Sequence, residues 1–132
     1  MSALDTNVLI RFLVRDNPEQ ADAARALLEG LTIDNPGFIC REVMIEVVWV
    51  LERSYRFSRE QIANIVLELM DTDTLVIEDD NDVAQATVAY RQGGADFSDL
   101  MILAAANRVG AQPLYTFDRR LSRLQGTALL EA

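Results

Sequence analysis

Short apolar segments alternate with helix-length amphipathic ones along almost the whole chain, and this alternation constrains the fold more than any other feature. Ser2 to Asp5 reads as a first strand and leads into a helix through Val8, Leu9, Ile10, Phe12 and Leu13. Asn17-Pro18 opens a second helix, with proline near the first helical position and Gly30 available to end it. The turn Asn35-Pro36-Gly37 precedes a strand, Phe38 to Cys40, and Arg41 to Arg53 reads as a mostly buried helix. Ser58-x-x-Gln61 is a capping-box signature for another helix, carrying Ile62, Ile65, Val66 and Leu69 at helical spacing. Leu75 to Ile77 is a short strand, Asn81 to Arg91 a helix that stops before Gly93-Gly94, and Phe97 to Arg108 a helix ending at Gly110. Pro113 to Phe117 reads as a strand, Arg119 to Leu124 as a short helix, and Ala128 to Leu130 as a final strand. Such alternation predicts an α/β fold with a mainly parallel central sheet of about five strands flanked by helices on both faces.

The 132 residues fit one domain, 1–132, large enough to bury roughly two-thirds of the unfolded surface. No linker, repeat or low-complexity tract divides it. No apolar run approaches the roughly 20 residues of a membrane span, and the start lacks a basic n-region. The lone Cys40 has no internal disulfide partner and is expected as a buried thiol. A soluble cytoplasmic protein is therefore expected.

Histidine is absent, which removes Ser-His and Cys-His nucleophile pairs and histidine-ligated zinc. All 12 basic residues are arginine, so a P-loop lysine and a Schiff base are excluded too. The net charge of −9 argues against a nucleic-acid partner until its distribution is considered. Eight acids (Glu60, Glu68, Asp71, Asp73, Glu78, Asp79, Asp80, Asp82) fall between Glu60 and Tyr90 with no base among them. The other 13 acids face 12 arginines, so the excess could occupy one flank.

In a parallel sheet of this kind, ligand sites lie beyond the carboxyl ends of the strands. Asp5 and Asp118 each directly follow an apolar segment, and Asp96 and Asp99 open a helix that starts at the same edge. Glu46 lies one turn into the helix after Phe38-Ile39-Cys40, the only polar residue from Val43 to Leu51. Strand–helix order thus predicts that all of these acids meet at one edge. Converging carboxylates repel one another, and burying them is costly, unless a cation offsets the charge. The pattern points to a hard divalent metal.

Each acid also has a plainer reading. Asp5 is a good N-cap, although Thr6 or Asn7 would serve as well. Glu46 is compatible with a narrow exposed stripe shared with Glu42 and Arg53. Asp96 as N-cap and Asp99 at the third helical position complement the helix dipole, and Asp118 is placed to cap the short helix after it. Arg119 and Arg120 are candidates either for phosphate contacts or for anchoring Asp118. Trp49, Tyr90 and Tyr115 read as core or interface residues ahead of base-stacking platforms.

Taken together, L-D-T-N-V-L-I-R-F-L, V-M-I-E-V-V-W-V-L, G-G-A-D-F-S-D-L-M-I-L-A-A-A and T-F-D-R-R-L resemble the PIN-domain ribonucleases, and within them the VapC-type toxins of bacterial toxin–antitoxin pairs. The resemblance spans nearly the whole chain in the family's order and spacing. It implies a Mg²⁺- or Mn²⁺-dependent endoribonuclease, usually a homodimer, acting on RNA and restrained by a cognate antitoxin. Carried over by position, the acidic core is Asp5, Glu46, Asp99 and Asp118, with Asp96 as an additional acid and Thr6, Asn7 and Thr116 as supporting polar residues. Asp5 and Asp99 are expected as direct metal ligands, with Glu46, Asp96 and Asp118 holding metal waters or a second ion. Such a mechanism uses water as nucleophile, leaves 5′-phosphate and 3′-hydroxyl ends, and needs no histidine. The competing expectations are a related metal-dependent DNA nuclease and a catalytically silent acidic module that docks an arginine-bearing partner.

Overall fold

A computed structural model describes residues 1–131, and the chain divides into two compact units, Met1–Asp80 and Asn81–Ala132. The first unit runs β1 (Ser2–Ala3), α1 (Thr6–Val14), α2 (Pro18–Glu29), β2 (Gly37–Ile39), α3 (Arg41–Arg53), α4 (Arg59–Met70) and β3 (Leu75–Ile77). Its three strands form a parallel sheet in the order β1-β2-β3, with Ala3 opposite Phe38 and Phe38 opposite Val76. Parallel neighbours require crossovers, and the helical pairs α1–α2 and α3–α4 supply them.

Local chemistry accounts for the helix ends. Asn17 Oδ1 accepts the Gln20 N–H at 3.2 Å, with Pro18 at the first helical position of α2. Ser58 and Gln61 close both arms of the expected capping box on α4. The start of α3 is different, because Cys40 occupies the N-cap and its side chain makes no capping bond. Glu78, just beyond β3, accepts the Arg41 N–H at 2.9 Å, and the Arg41 guanidinium pairs with Asp79 at 2.9 Å. A carboxylate at a helix N-terminus also complements the helix dipole. Cys40 itself is half-buried, not the buried thiol expected.

Gly37 sits where β1, β2 and β3 meet, and a Cβ there would lie 2.9 Å from Leu4 Cδ1 and from Leu31 Cδ1. Only glycine lets these apolar chains close over the middle strand. Leu4, Leu9, Ile10, Ile39, Met44, Val47, Leu51, Ile62 and Val66 are all buried. The Leu4 N–H donates to the Phe38 carbonyl at 2.9 Å and fixes the chain just before Asp5.

The second unit follows the start of α5 (Asp80–Gln92) with α6 (Phe97–Arg108), β4 (Leu114–Thr116), a single 3₁₀ turn (Leu121–Arg123) and β5 (Thr127–Leu129). β4 and β5 pair in parallel, Tyr115 opposite Ala128. Tyr90 is fully buried and meets Phe97 edge-on at 5.8 Å, linking α5 to α6. Asp82 is also buried and receives the Arg108 Nε–H at 3.1 Å on Oδ2 and 3.3 Å on Oδ1.

The architecture is therefore α/β with parallel strands, as expected, but the five strands fall into sheets of three and two. The strand at residues 113–117 is shorter than expected, and the helix expected at 119–124 is one 3₁₀ turn. The acidic stretch is not simply a solvated flank. Glu78, Asp79 and Asp82 are engaged in helix capping and ion pairs, which leaves Glu60, Glu68, Asp71, Asp73 and Asp80 exposed.

Candidate active site

The first unit carries Asp5 and Glu46. Asp5 lies in extended conformation between β1 and α1 and is the N-cap of α1, its Oδ1 accepting the Thr6 N–H at 2.8 Å. The carboxylate is exposed. Asp5 does therefore have a structural duty, contrary to the argument that Thr6 or Asn7 would cap as well. That duty occupies one oxygen. Thr6 is buried, and its Oγ1 has no hydrogen-bond partner among the described residues. A buried hydroxyl without a partner costs roughly 1–3 kcal/mol, so it marks a position suited to a further polar group. Asn7 is exposed on the first turn of the same helix.

Glu46 is exposed, and so are Glu42, Trp49 and Arg53 at the four- and three-residue spacings of one helix face. Val43, Met44, Val47, Val48 and Leu51 occupy the buried face. The apolar run around Glu46 thus belongs to a helix with one narrow polar stripe, not to an enclosed helix. Trp49 lies on that stripe at 58% exposure, which excludes the core half of its core-or-interface reading. Tyr115 is exposed as well, whereas Tyr90 is core as expected.

The second unit carries Asp96, Asp99 and Asp118. Asp96 is the N-cap of α6 by backbone conformation, yet its side chain makes no capping bond to the helix. Asp99 lies in the first turn, partly buried. Its carboxyl is held above the usual carboxylate range by burial first, then by the negative charges of Asp96 and Asp118. Asp99 therefore feels both of its acidic neighbours. Asp118 follows β4, and its Oδ1 accepts the N–H groups of Arg120 at 2.8 Å and Leu121 at 3.3 Å. Thr116 Oγ1 in turn accepts the Asp118 N–H at 3.0 Å. Arg119 and Arg120 are exposed beside it.

Among the described residues, no three acids or cysteines stand close enough to hold a metal ion between them. The donor set nonetheless suits one. Mg²⁺ takes oxygen ligands, needs only one or two direct carboxylates and keeps several waters. A cation beside Asp99 would also offset the charges of Asp96 and Asp118, which add to burial in raising its carboxyl.

The PIN-domain family model matches residues 3–126, which include every segment quoted above. The chain belongs to the PIN-domain family. This PIN domain is also 28% identical, over 125 residues, to the VapC ribonuclease of Aquifex aeolicus (strain VF5), a match covering 94% of this chain and 92% of that protein. PIN-domain nucleases generally use divalent metal ions, in keeping with an all-oxygen donor set. Among the described residues, no helix of the PIN domain is long and apolar enough to cross a membrane. The residue that sequence reasoning weighed least well is Glu78. Its role at the start of α3 depends on a contact 37 residues away, and the only local signal was that Cys40 is a poor cap.

Proposed function

We propose that this PIN domain is a Mg²⁺-dependent endoribonuclease, with Mn²⁺ as a competent substitute, and acts as the toxin of a toxin–antitoxin pair. One observation carries the reading: Asp96 and Asp99 at the start of α6 and Asp118 after β4 gather three carboxylates, with the charges of Asp96 and Asp118 adding to burial in raising the Asp99 carboxyl. The family match and the similarity to a VapC ribonuclease support it. In this reading residues 1–132 are one nuclease domain, which the family match over residues 3–126 supports.

In this proposal Asp5 and Asp99 would hold the cation directly, and Glu46, Asp96 and Asp118 would hold its waters. When bound, the cation acidifies a water and neutralises charge on the phosphate in the transition state. The Thr6 N–H holds Asp5 through Oδ1, and Thr116 and the Arg120 N–H hold Asp118, so both carboxylates are oriented before substrate arrives. Glu46 or Asp118 accepts the proton of the attacking water. Water adds to the scissile phosphorus and the bond to the 3′-oxygen breaks, leaving 5′-phosphate and 3′-hydroxyl ends. Arg119 and Arg120 contact flanking phosphates. The protein works in the cytoplasm as a homodimer, silenced by a cognate antitoxin.

End chemistry tests this reading. RNA fragments made by the antitoxin-free protein in Mg²⁺ are expected to ligate through 5′-phosphates, with no fragments in EDTA. Cutting that persists in EDTA, or ends with 2′,3′-cyclic phosphate, would sink it.

A further inference from the structure

The exposed stripe of α3 sets a tryptophan one helical turn from Glu46. Residues three and four apart on a helix are neighbours, with Cβ atoms roughly 5–6 Å apart. Trp49 therefore has Glu46 on one side and Arg53 on the other, and the Arg53 Cζ lies 6.0 Å from the indole centroid. The ring is 58% exposed. Its exposed neighbours along the stripe, Glu42, Glu46 and Arg53, are all charged. A surface built to dock a protein presents contiguous apolar area with charge depleted at its centre, and this stripe does the opposite. A single flat ring beside a guanidinium is instead the equipment that binds an unpaired base and its phosphate.

We infer that Trp49 is a base-stacking platform for single-stranded RNA and that Arg53 holds the neighbouring phosphate, so that α3 binds the strand beside Glu46. The inference rests on the ribonuclease reading above and adds the residues that seat the substrate. Stacking on an indole accepts any base, so Trp49 supplies affinity and register while leaving sequence choice to other contacts. Duplex RNA, whose bases are already stacked on one another, cannot use it.

Trp49 is the chain's only tryptophan, so its emission reports this surface alone. The full-length protein, free of bound partner, is titrated in EDTA with a short single-stranded RNA of mixed sequence. Saturable quenching of Trp49 by the single strand, and none by the matching duplex, is expected. Fluorescence anisotropy of end-labelled RNA then reads affinity in the variants. Trp49→Ala is expected to bind roughly 5- to 150-fold more weakly, the range for losing one stacked base, and Trp49→Phe to recover most of that loss. Arg53→Gln is expected to lower the slope of log affinity against log salt by about 0.7, one phosphate contact on a single strand.

RNA that binds and is cut while Trp49 emission stays unchanged, and Trp49→Ala that binds within twofold of wild type, overturn the inference but spare the ribonuclease reading. A blue-shifted emission that depends on protein concentration assigns Trp49 to an interface between copies and also overturns it. A folded wild type that neither binds nor cuts RNA overturns both.

Discussion

Replacing Arg108 with leucine withdraws the guanidinium from a carboxylate that has almost no contact with water. The Asp82 side chain is 4% exposed and the Arg108 side chain 47%. Removing one partner of a buried ion pair costs about 3–5 kcal/mol. Solvent already reaches half of Arg108 and discounts that range, so Arg108→Leu is expected to cost about 2–3 kcal/mol. Unfolding entropy of about 2.1 cal/mol/K per residue makes each kcal/mol worth roughly 3–4 °C in a chain of 132 residues, so the midpoint should fall by roughly 7–11 °C. Thermal and urea melts at pH 7 would measure it. The double variant Asp82→Leu/Arg108→Leu removes both members of this pair and should recover at least half of the loss. An Arg108→Leu midpoint within a degree or two of wild type would refute the assignment of this pair as a structural tie between α5 and α6. So would a double variant no more stable than the single.

Asp99→Asn should raise the melting point of the metal-free protein at pH 7. The carboxyl is raised in the folded chain, so that chain binds more protons than the unfolded one as pH climbs out of the usual carboxylate range. Stability therefore falls through that window and stays lower above it, and asparagine abolishes the loss. Melts in EDTA at pH 7 and below pH 3 check this, and a variant advantage that persists undiminished at the acid end would contradict it. Ser58→Ala removes the side-chain acceptor for the Gln61 N–H and should cost about 1 kcal/mol by urea melts. A loss below a few tenths of that would mean the capping box contributes little to α4.

Local signals in the chain were legible because their physics is local. Ser58-x-x-Gln61 and Asn17-Pro18 mark helix starts that the folded chain uses, and each of the five strands coincides with a recognised apolar segment. The acids at Asp5, Asp96 and Asp118 fall at element boundaries, as strand–helix alternation requires. What escaped depended on distant partners. Nothing near Cys40 announces that Glu78 will cap its helix, and nothing near Asp82 distinguishes it from the seven other acids around it until Arg108, 26 residues on, is brought beside it. Trp49 was left between core and interface for another reason. Its hydrophobicity suggested the core, while its spacing from Glu42, Glu46 and Arg53 placed it on the polar stripe. Periodicity was the better guide.

The most direct test of the account is the rate at which folded wild type and Asp99→Asn cut single-stranded RNA in Mg²⁺, with EDTA as the control. Cutting by wild type that stops in EDTA and falls at least about 100-fold in Asp99→Asn is the predicted result, the scale on which removing one electrostatic group at a reacting centre acts. Asp99→Asn that cuts at the wild-type rate would contradict the assignment of the acidic group on α6 as the metal-holding centre.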